Sequence, residues 1–235
     1  LASTEAELAA LADAGDAAVL AARAEAAERE FLAAAKQLAQ KRQYAGNELS
    51  HRVTEAMQQL AMEGGHFEIG QDALDTPAGY GLHDLTFRVA SHPKQPLASL
   101  ARVASGGELS RIALAVQVAA SEAGQIPTLV FDEVDSGVGG AVATTVGRLL
   151  QALGSRRQVL CVTHLPQVAA CADVHLRVRK CDDDDGVRSE LDRLDAAQRV
   201  EETARMLGGA QVTAKTRANA RELLDASRRQ AATRR

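Results

Sequence analysis

The sequence has few cysteines, no long apolar segment and no excess of positive charge, and each shortage argues against a class of protein. Its three cysteines, Cys161, Cys171 and Cys181, form no C-x-x-C pair and are odd in number. This pattern argues against a zinc site or a disulfide framework and fits a reducing cytoplasm. No apolar run approaches membrane-spanning length and no secretory signal is present, so we expect a soluble cytoplasmic protein. The formal net charge of −4 gives no overall attraction to nucleic acid.

What the sequence does contain is typical of a folded chain. Its 235 residues are 46% hydrophobic and 25% charged, which leaves room for one domain with an arm or for two small domains. The first residue is Leu1 rather than Met, so we expect a fragment of a longer protein.

A small polar turn, Ser105-Gly106-Gly107, runs directly into the apolar helix pattern of residues 112–119. Such a turn leaves backbone N–H groups unpaired at a helix start, where the helix dipole adds partial positive charge. The turn therefore predicts an anion site, and phosphate is the usual anion. The alternative is an ordinary N-cap, in which Ser105 closes the first turn and the glycines only allow tight packing.

Two apolar runs of strand length end in polar side chains. Residues 128–131 lead into Asp132 and Glu133, and residues 159–163 lead into His164. Strand, helix and strand alternate at lengths that require crossovers, which predicts a parallel α/β sheet with these groups at one edge. Asp132 suits Mg²⁺, Glu133 could orient a water, and His164 could bind a terminal phosphate. The alternatives are acidic helix caps and a structural histidine.

Together these segments resemble the motifs of ABC-type ATPase heads. Residues 104–111 (ASGGELSR) are similar to the signature motif, residues 129–133 (LVFDE) to the Walker B strand, and residues 134–137 (VDSG) to the D-loop. His164 is similar to the switch histidine. Within that superfamily the resemblance is to SMC-type ATPases of bacterial DNA repair, and it extends from about Leu49 to Leu224.

The resemblance implies an α/β fold, namely the C-terminal lobe of an ABC/SMC-type P-loop ATPase head with a mainly parallel sheet and N-terminal coiled-coil helices. It implies ATP and Mg²⁺ as cofactors, with Asp132 on the metal, Glu133 on the attacking water and His164 on the γ-phosphate. Three more residues would bind ATP held by a second head: Ser105, Gly106 and Gly107. Asp135 would couple the two ATP sites. The implied process is DNA double-strand break repair and recombination, on the nucleoid of a bacterial cytoplasm.

The chain lacks the phosphate-binding loop GxxxxGK[ST] that such a head requires. None of the five lysines follows a glycine: Lys36, Lys41, Lys94, Lys180 and Lys215. The resemblance implies that an N-terminal half supplies this Walker A loop and that a second head joins in an ATP-dependent homodimer. We therefore expect an ATPase that is inactive as this fragment alone, with DNA as a partner of the full protein and no membrane partner.

We divide the chain into three parts: residues 1–45 as the end of a coiled-coil arm, 46–195 as the head lobe, and 196–235 as C-terminal helices with a basic tail. The prediction of an arm depends on heptad-like apolar spacing in a proline-free segment. The alternative is an amphipathic helix packed within one compact domain. Within the lobe we predict antiparallel strands at 66–69 and 85–89 with a loop between them, and a hairpin from 174 to 194. The tail could contact DNA phosphates or could be a solvated helix face.

Three other functions stay open at this point. The first is another SMC-like head, and the second is an ABC transporter subunit, which the coiled-coil-like start disfavours. The third is a non-catalytic DNA-binding or scaffold module that works through its arm and basic tail.

Overall fold

The computed structural model describes residues 4–5, 17–103, 105–120, 126–183, 186–209 and 211–232. Ala104, which opens the predicted signature motif, and the terminal Arg234 and Arg235 of the predicted basic tail lie outside them. The chain divides into two compact units. Unit 1 comprises Leu1–Glu48 and Ile69–Thr86, and unit 2 comprises Leu49–Glu68 and Phe87–Arg235.

The chain begins with helix α1 (Ala17–Gln58), followed by strands β1 (His66–Ala78) and β2 (Gly81–Ala90), and all three run through both units. In unit 1, residues 17–30 of α1 are exposed on every side. Further along α1, in the same unit, Arg42 Nη1 donates a hydrogen bond of 2.9 Å to the carbonyl of Tyr80 in the β1–β2 turn. A helix exposed all round gains little from burial within this chain. Its assignment to a coiled-coil arm stays a prediction.

The prediction of a loop between the first two strands is wrong. Most of it belongs to the strands, which continue to Ala78 and resume at Gly81. Pro77 and the glycines favoured a loop in the sequence, yet proline is tolerated near the end of an edge strand, and Gly81 adopts φ 122° just after the turn. The turn therefore shrinks to residues 79–80.

Unit 2 continues after β2 with an alternation of strands and helices. In chain order these are β3 (Ala98–Ser99), a 3₁₀ turn (Leu100–Arg102), α2 (Gly106–Ala119), β4 (Thr128–Phe131), α3 (Gly140–Gly154), β5 (Gln158–Cys161), α4 (Pro166–Ala170), β6 (Leu176–Asp183), β7 (Gly186–Arg193), α5 (Ala196–Gly208) and α6 (Ala214–Ala232). The C-terminal helices expected within residues 196–235 are α5 and α6. No helix in the described ranges combines the length and the apolar character needed to cross a membrane.

The predicted parallel pairing is confirmed at β4 and β5. Their register places Thr128 opposite Gln158 and Phe131 opposite Cys161, so both strands end at the same edge. In the described residues the other two sheets, β1-β2-β3 and β6-β7, contain antiparallel pairs. Within the described residues the parallel part of the fold is the β4-β5 pair. The predicted hairpin from 174 to 194 is confirmed as β6-β7.

The β4-β5 sheet is covered on one face. Leu129 and Phe131 are buried, as are the residues of α3 that face the core: Ala143, Val146, Leu150 and Leu153. On the other face Val130, Leu160 and Val162 are 68%, 46% and 63% exposed. Strand residues alternate between the two faces, so this apolar face is a property of the whole sheet.

A buried arginine fixes the segment that follows β5. Arg199 of α5 is 8% exposed, and one of its Nη atoms donates hydrogen bonds of 3.1 Å to the carbonyls of Ala169 and Ala170 and a third to that of Ala172. These carbonyls end helix α4, where orphan acceptors and the helix dipole favour a cation. Burial, and next the charge of Arg228, lower the pKa of Arg199 from its usual value.

Replacing this arginine should destabilise unit 2. Arg199→Met keeps much of the apolar stem but removes the hydrogen bonds to these three carbonyls, so we expect the free energy of unfolding to fall by about 2 to 4 kcal/mol. Urea denaturation followed by circular dichroism measures the change. Arg193→Met, on an exposed β7 side chain, is the matched control and should change the value by less than about 0.5 kcal/mol. Equal effects of the two substitutions would contradict the proposed role of Arg199.

Candidate functional site

The residues after β4 leave the strand in a tight turn that presents two carboxylates. Asp132 and Glu133 are exposed, and Asp132 Oδ1 accepts a hydrogen bond of 2.9 Å from the backbone N–H of Glu133. Glu133 has φ 56°, a left-handed conformation that non-glycine residues rarely adopt. The next two side chains, Val134 and Asp135, are buried. The structure therefore puts the predicted metal and water-activating residues at the edge where we expected them.

Ser105 is the N-cap of α2, as the ordinary capping interpretation requires. Its Oγ accepts a hydrogen bond of 3.4 Å from the backbone N–H of Glu108. Ser91 Oγ in turn donates a bond of 2.9 Å to Glu108 Oε2. This geometry is compatible with a phosphate at the helix start, because capping satisfies only part of the unpaired N–H groups of the first turn. Phosphate binding there stays a prediction.

The two glycines of the turn lie against the segment that follows β4. A Cβ atom at Gly106 would lie 2.7 Å from Glu133 Oε2, and one at Gly107 would lie 2.8 Å from the Cβ of Ser136. Both distances are shorter than non-bonded atoms tolerate. The start of α2 and residues 133–136 of the same chain are therefore in direct contact, and glycine is required at 107 for that packing.

Arg111 strengthens this contact and was not singled out from the sequence. It lies one turn into α2, is 8% exposed, and its Nη1 donates a hydrogen bond of 2.6 Å to the carbonyl of Ser136. Burial lowers its pKa, which the nearby Glu108 partly offsets. The signal that could have found it is a charged residue within an otherwise apolar helix face, since such residues are rarely buried without a partner.

His164 lies after β5, beside the residues that follow β4. Its Nδ1 is 3.7 Å from Asp135 Oδ2, and Thr163 Oγ1 donates a short hydrogen bond to the same oxygen. The His164 side chain is 73% exposed, whereas that of Asp135 is 2% exposed. The structure therefore brings two of the predicted site residues together, one of them buried.

The pKa of Cys161, at the end of β5, reflects burial and the negative charge at this edge of the sheet. The pKa of its thiol is raised to about 12, first by burial and then by the charges of Asp135 and Asp132. Such a thiol stays protonated at neutral pH and is no nucleophile. The same carboxylates make this edge attractive to a cation.

The donor set fits Mg²⁺ in the form that it takes beside nucleotides. The described residues contain no group of three or more His, Cys, Asp or Glu side chains that could hold a metal ion by themselves. Mg²⁺ usually keeps several waters and takes one or two carboxylates, with substrate phosphates completing the set. The exposed carboxylate of Asp132 suits that role.

The contact between α2 and residues 133–136 should be sensitive to one added methyl group. Gly107→Ala would force the helix start away from Ser136, so we expect a loss of about 1 to 3 kcal/mol in the free energy of unfolding. Gly154→Ala is the matched control, since nothing lies within 4 Å of its added Cβ. It should be neutral or slightly stabilising. A neutral Gly107→Ala in urea denaturation would mean that the contact does not form.

No model of a known protein family matches the chain. It is 46% identical over 193 residues to the DNA repair protein RecN of Vibrio cholerae, a match that covers 81% of this chain and 34% of that protein. It is 45% identical over 190 residues to RecN of Haemophilus influenzae, with 80% and 34% covered. The chain spans about a third of the length of these curated relatives.

The fold is similar to that of a solved Smc head. A crystal structure of the Smc head domain with a coiled coil and joint, derived from Pyrococcus yayanosii, matches with a TM-score of 0.50 at 22% identity. The match covers 67% of this chain and 28% of the other. At this identity the likeness concerns the fold alone, and it agrees with the predicted α/β lobe of an SMC-type ATPase head. By these sequence matches, the chain is similar to a part of the DNA repair proteins named RecN.

Proposed function

We propose that this chain is the C-terminal lobe of the ATPase head of a RecN-like protein that acts in DNA double-strand break repair and recombination. The observation that carries the proposal is the shared edge of β4 and β5, where Asp132 and Glu133 follow one strand and His164 follows the other. The sequence relatives are named DNA repair proteins, and the same three residues were selected from their motifs alone. A parallel sheet that collects carboxylates and a histidine beyond its strand ends is typical of a nucleotide site.

Each residue at the edge has a role in hydrolysis that its chemistry supports. Bound ATP supplies the phosphoryl group, and Mg²⁺ neutralises its charge. The carboxylate of Asp132 would hold the metal, and that of Glu133 would orient the attacking water and accept its proton. His164 would contact the terminal phosphate. Phosphoryl transfer requires placement and charge neutralisation rather than a covalent intermediate, so these groups suffice once the phosphates are held.

The phosphates would be held by a part of the protein that this sequence does not contain. The exposed apolar side chains of Val130, Leu160 and Val162 would be covered by the N-terminal half that carries the Walker A loop. The hairpin face formed by Leu176, Val178 and Leu191, which are 48%, 65% and 66% exposed, would pack in the same way. Apolar surfaces of this kind mark interaction sites.

A second head would complete the site from the other side. Ser105, Gly106 and Gly107 would bind the γ-phosphate of ATP held by that head, through backbone N–H groups at the start of α2. Asp135 would couple the two sites. The full assembly would be an ATP-dependent homodimer, with DNA as its partner and the bacterial nucleoid as its place of action.

The role of Glu133 is tested by Glu133→Gln in the full-length protein. Loss of the carboxylate removes the proton acceptor while keeping the size of the side chain, so we expect turnover to fall by about 100-fold or more. ATP-dependent association of heads should persist, because it needs binding rather than hydrolysis. Glu222→Gln makes the same change on an exposed face of α6 and should leave turnover unchanged. Normal turnover in Glu133→Gln would refute the assignment.

The role of the signature turn in a second head's site is tested by Ser105→Arg. A long cation at this position would obstruct the approach of another head, so ATP-dependent association measured by light scattering should be lost. ATP binding by the same head should persist, as measured with a fluorescent analogue. Ser155→Arg, at the exposed end of α3, is the control. Loss of ATP binding in Ser105→Arg would show that the turn serves its own head instead.

A further inference from the structure

Asp135 is a buried carboxylate whose contacts in this chain point to a specific task. Only 2% of its side chain is exposed. A buried carboxylate is costly unless it is hydrogen-bonded or faces a cation. Its Oδ2 atom accepts a hydrogen bond from Thr163 Oγ1, and His164 Nδ1 lies 3.7 Å away.

Thr163 is held from its other side as well. Its Oγ1 accepts a hydrogen bond of 3.0 Å from the backbone N–H of Leu165. The Thr163 hydroxyl therefore makes two hydrogen bonds, one to Asp135 and one to the backbone of the residue that follows His164. This arrangement fixes the backbone of an exposed side chain without enclosing its ring.

The carboxylate also distinguishes the two nitrogens of the imidazole. Nδ1 lies on the side of the Asp135 carboxylate, and Nε2 is the ring nitrogen directed away from it. Carboxylates orient histidines in this manner in metal sites and catalytic triads. The separation of 3.7 Å is longer than a hydrogen bond and short enough for electrostatic attraction.

We propose that Asp135 is a positioning residue for His164 of the same chain, holding Nδ1 through its buried carboxylate so that Nε2 is directed at the terminal phosphate. This inference rests on the proposed ATPase function. It gives Asp135 a task within its own head, and the coupling predicted for this residue would then be exerted through the histidine. A shift of residues 134–137 would move His164 with it.

The inference is tested by a double-mutant cycle on turnover in the full-length protein. Asp135→Asn and His164→Gln should each lower kcat by about 10- to 100-fold, with a smaller effect on KM, since both disturb placement at the phosphate. If Asp135 acts through His164, the double variant should be no slower than His164→Gln alone. Effects that multiply would overturn the inference.

A spectroscopic measurement separates positioning from a general loss of structure. In protein labelled with ¹⁵N-histidine, the His164 ring signals are assigned by their loss in His164→Gln. Asp135→Asn removes the charge beside Nδ1 and should therefore change these shifts, while Glu202→Gln, which alters another buried carboxylate, should not. Unchanged His164 shifts in Asp135→Asn would overturn the inference.

Thr163 gives a second route if Asp135→Asn does not fold. Thr163→Val removes the donor to Asp135 and should lower kcat by about 10-fold, whereas Thr163→Ser keeps the hydroxyl and should restore it. Equal kcat values for the two would count against the inference. Failure of the proposed function is distinguishable, because Glu133→Gln and His164→Gln would then both retain turnover.

Discussion

The parallel register of β4 and β5 is the constraint on which the rest of the site depends. Thr128 pairs with Gln158 and Phe131 with Cys161, so both chains emerge from the sheet at the same level. Three predicted site residues lie at this edge because of that register: Asp132, Glu133 and His164. A slip by one residue would turn the buried Phe131 towards the open face and would separate Asp135 from Thr163. Packing of the covered face against α3 therefore fixes the positions of the candidate site residues at the strand ends.

Helix α2 is tied to that edge by its own first turn. Two glycines lie against residues 133–136, and Arg111 donates to the carbonyl of Ser136. Arg199 also fixes the end of α4, the short helix that follows His164. Hydrogen bonds to backbone carbonyls, rather than side-chain ion pairs, make these connections. Such bonds depend little on salt, because both arginines are buried and their acceptors are uncharged.

The sequence allowed the strand ends, the helix start and the tail helices to be predicted, because each depends on a local pattern. The candidate roles of Ser105 to Gly107 and of Asp132, Glu133 and His164 were proposed from short motifs for the same reason. The burial of Asp135 and the contact of Arg111 with Ser136 were not predictable, since both depend on which segments meet in space. The β1-β2 ribbon was misjudged because Pro77 and nearby glycines favour loops locally, and sheet pairing overrode that preference.

The backbone of Glu133 has a consequence for the evolution of such a head. A glutamate held at φ 56° costs about 1 kcal/mol or more relative to a relaxed conformation, and glycine at the same position would avoid that cost. Under the proposed function, stability and hydrolysis therefore place opposite demands on one residue. Laboratory selection for higher stability would therefore favour glycine at 133. The most stable variants would then bind ATP without hydrolysing it.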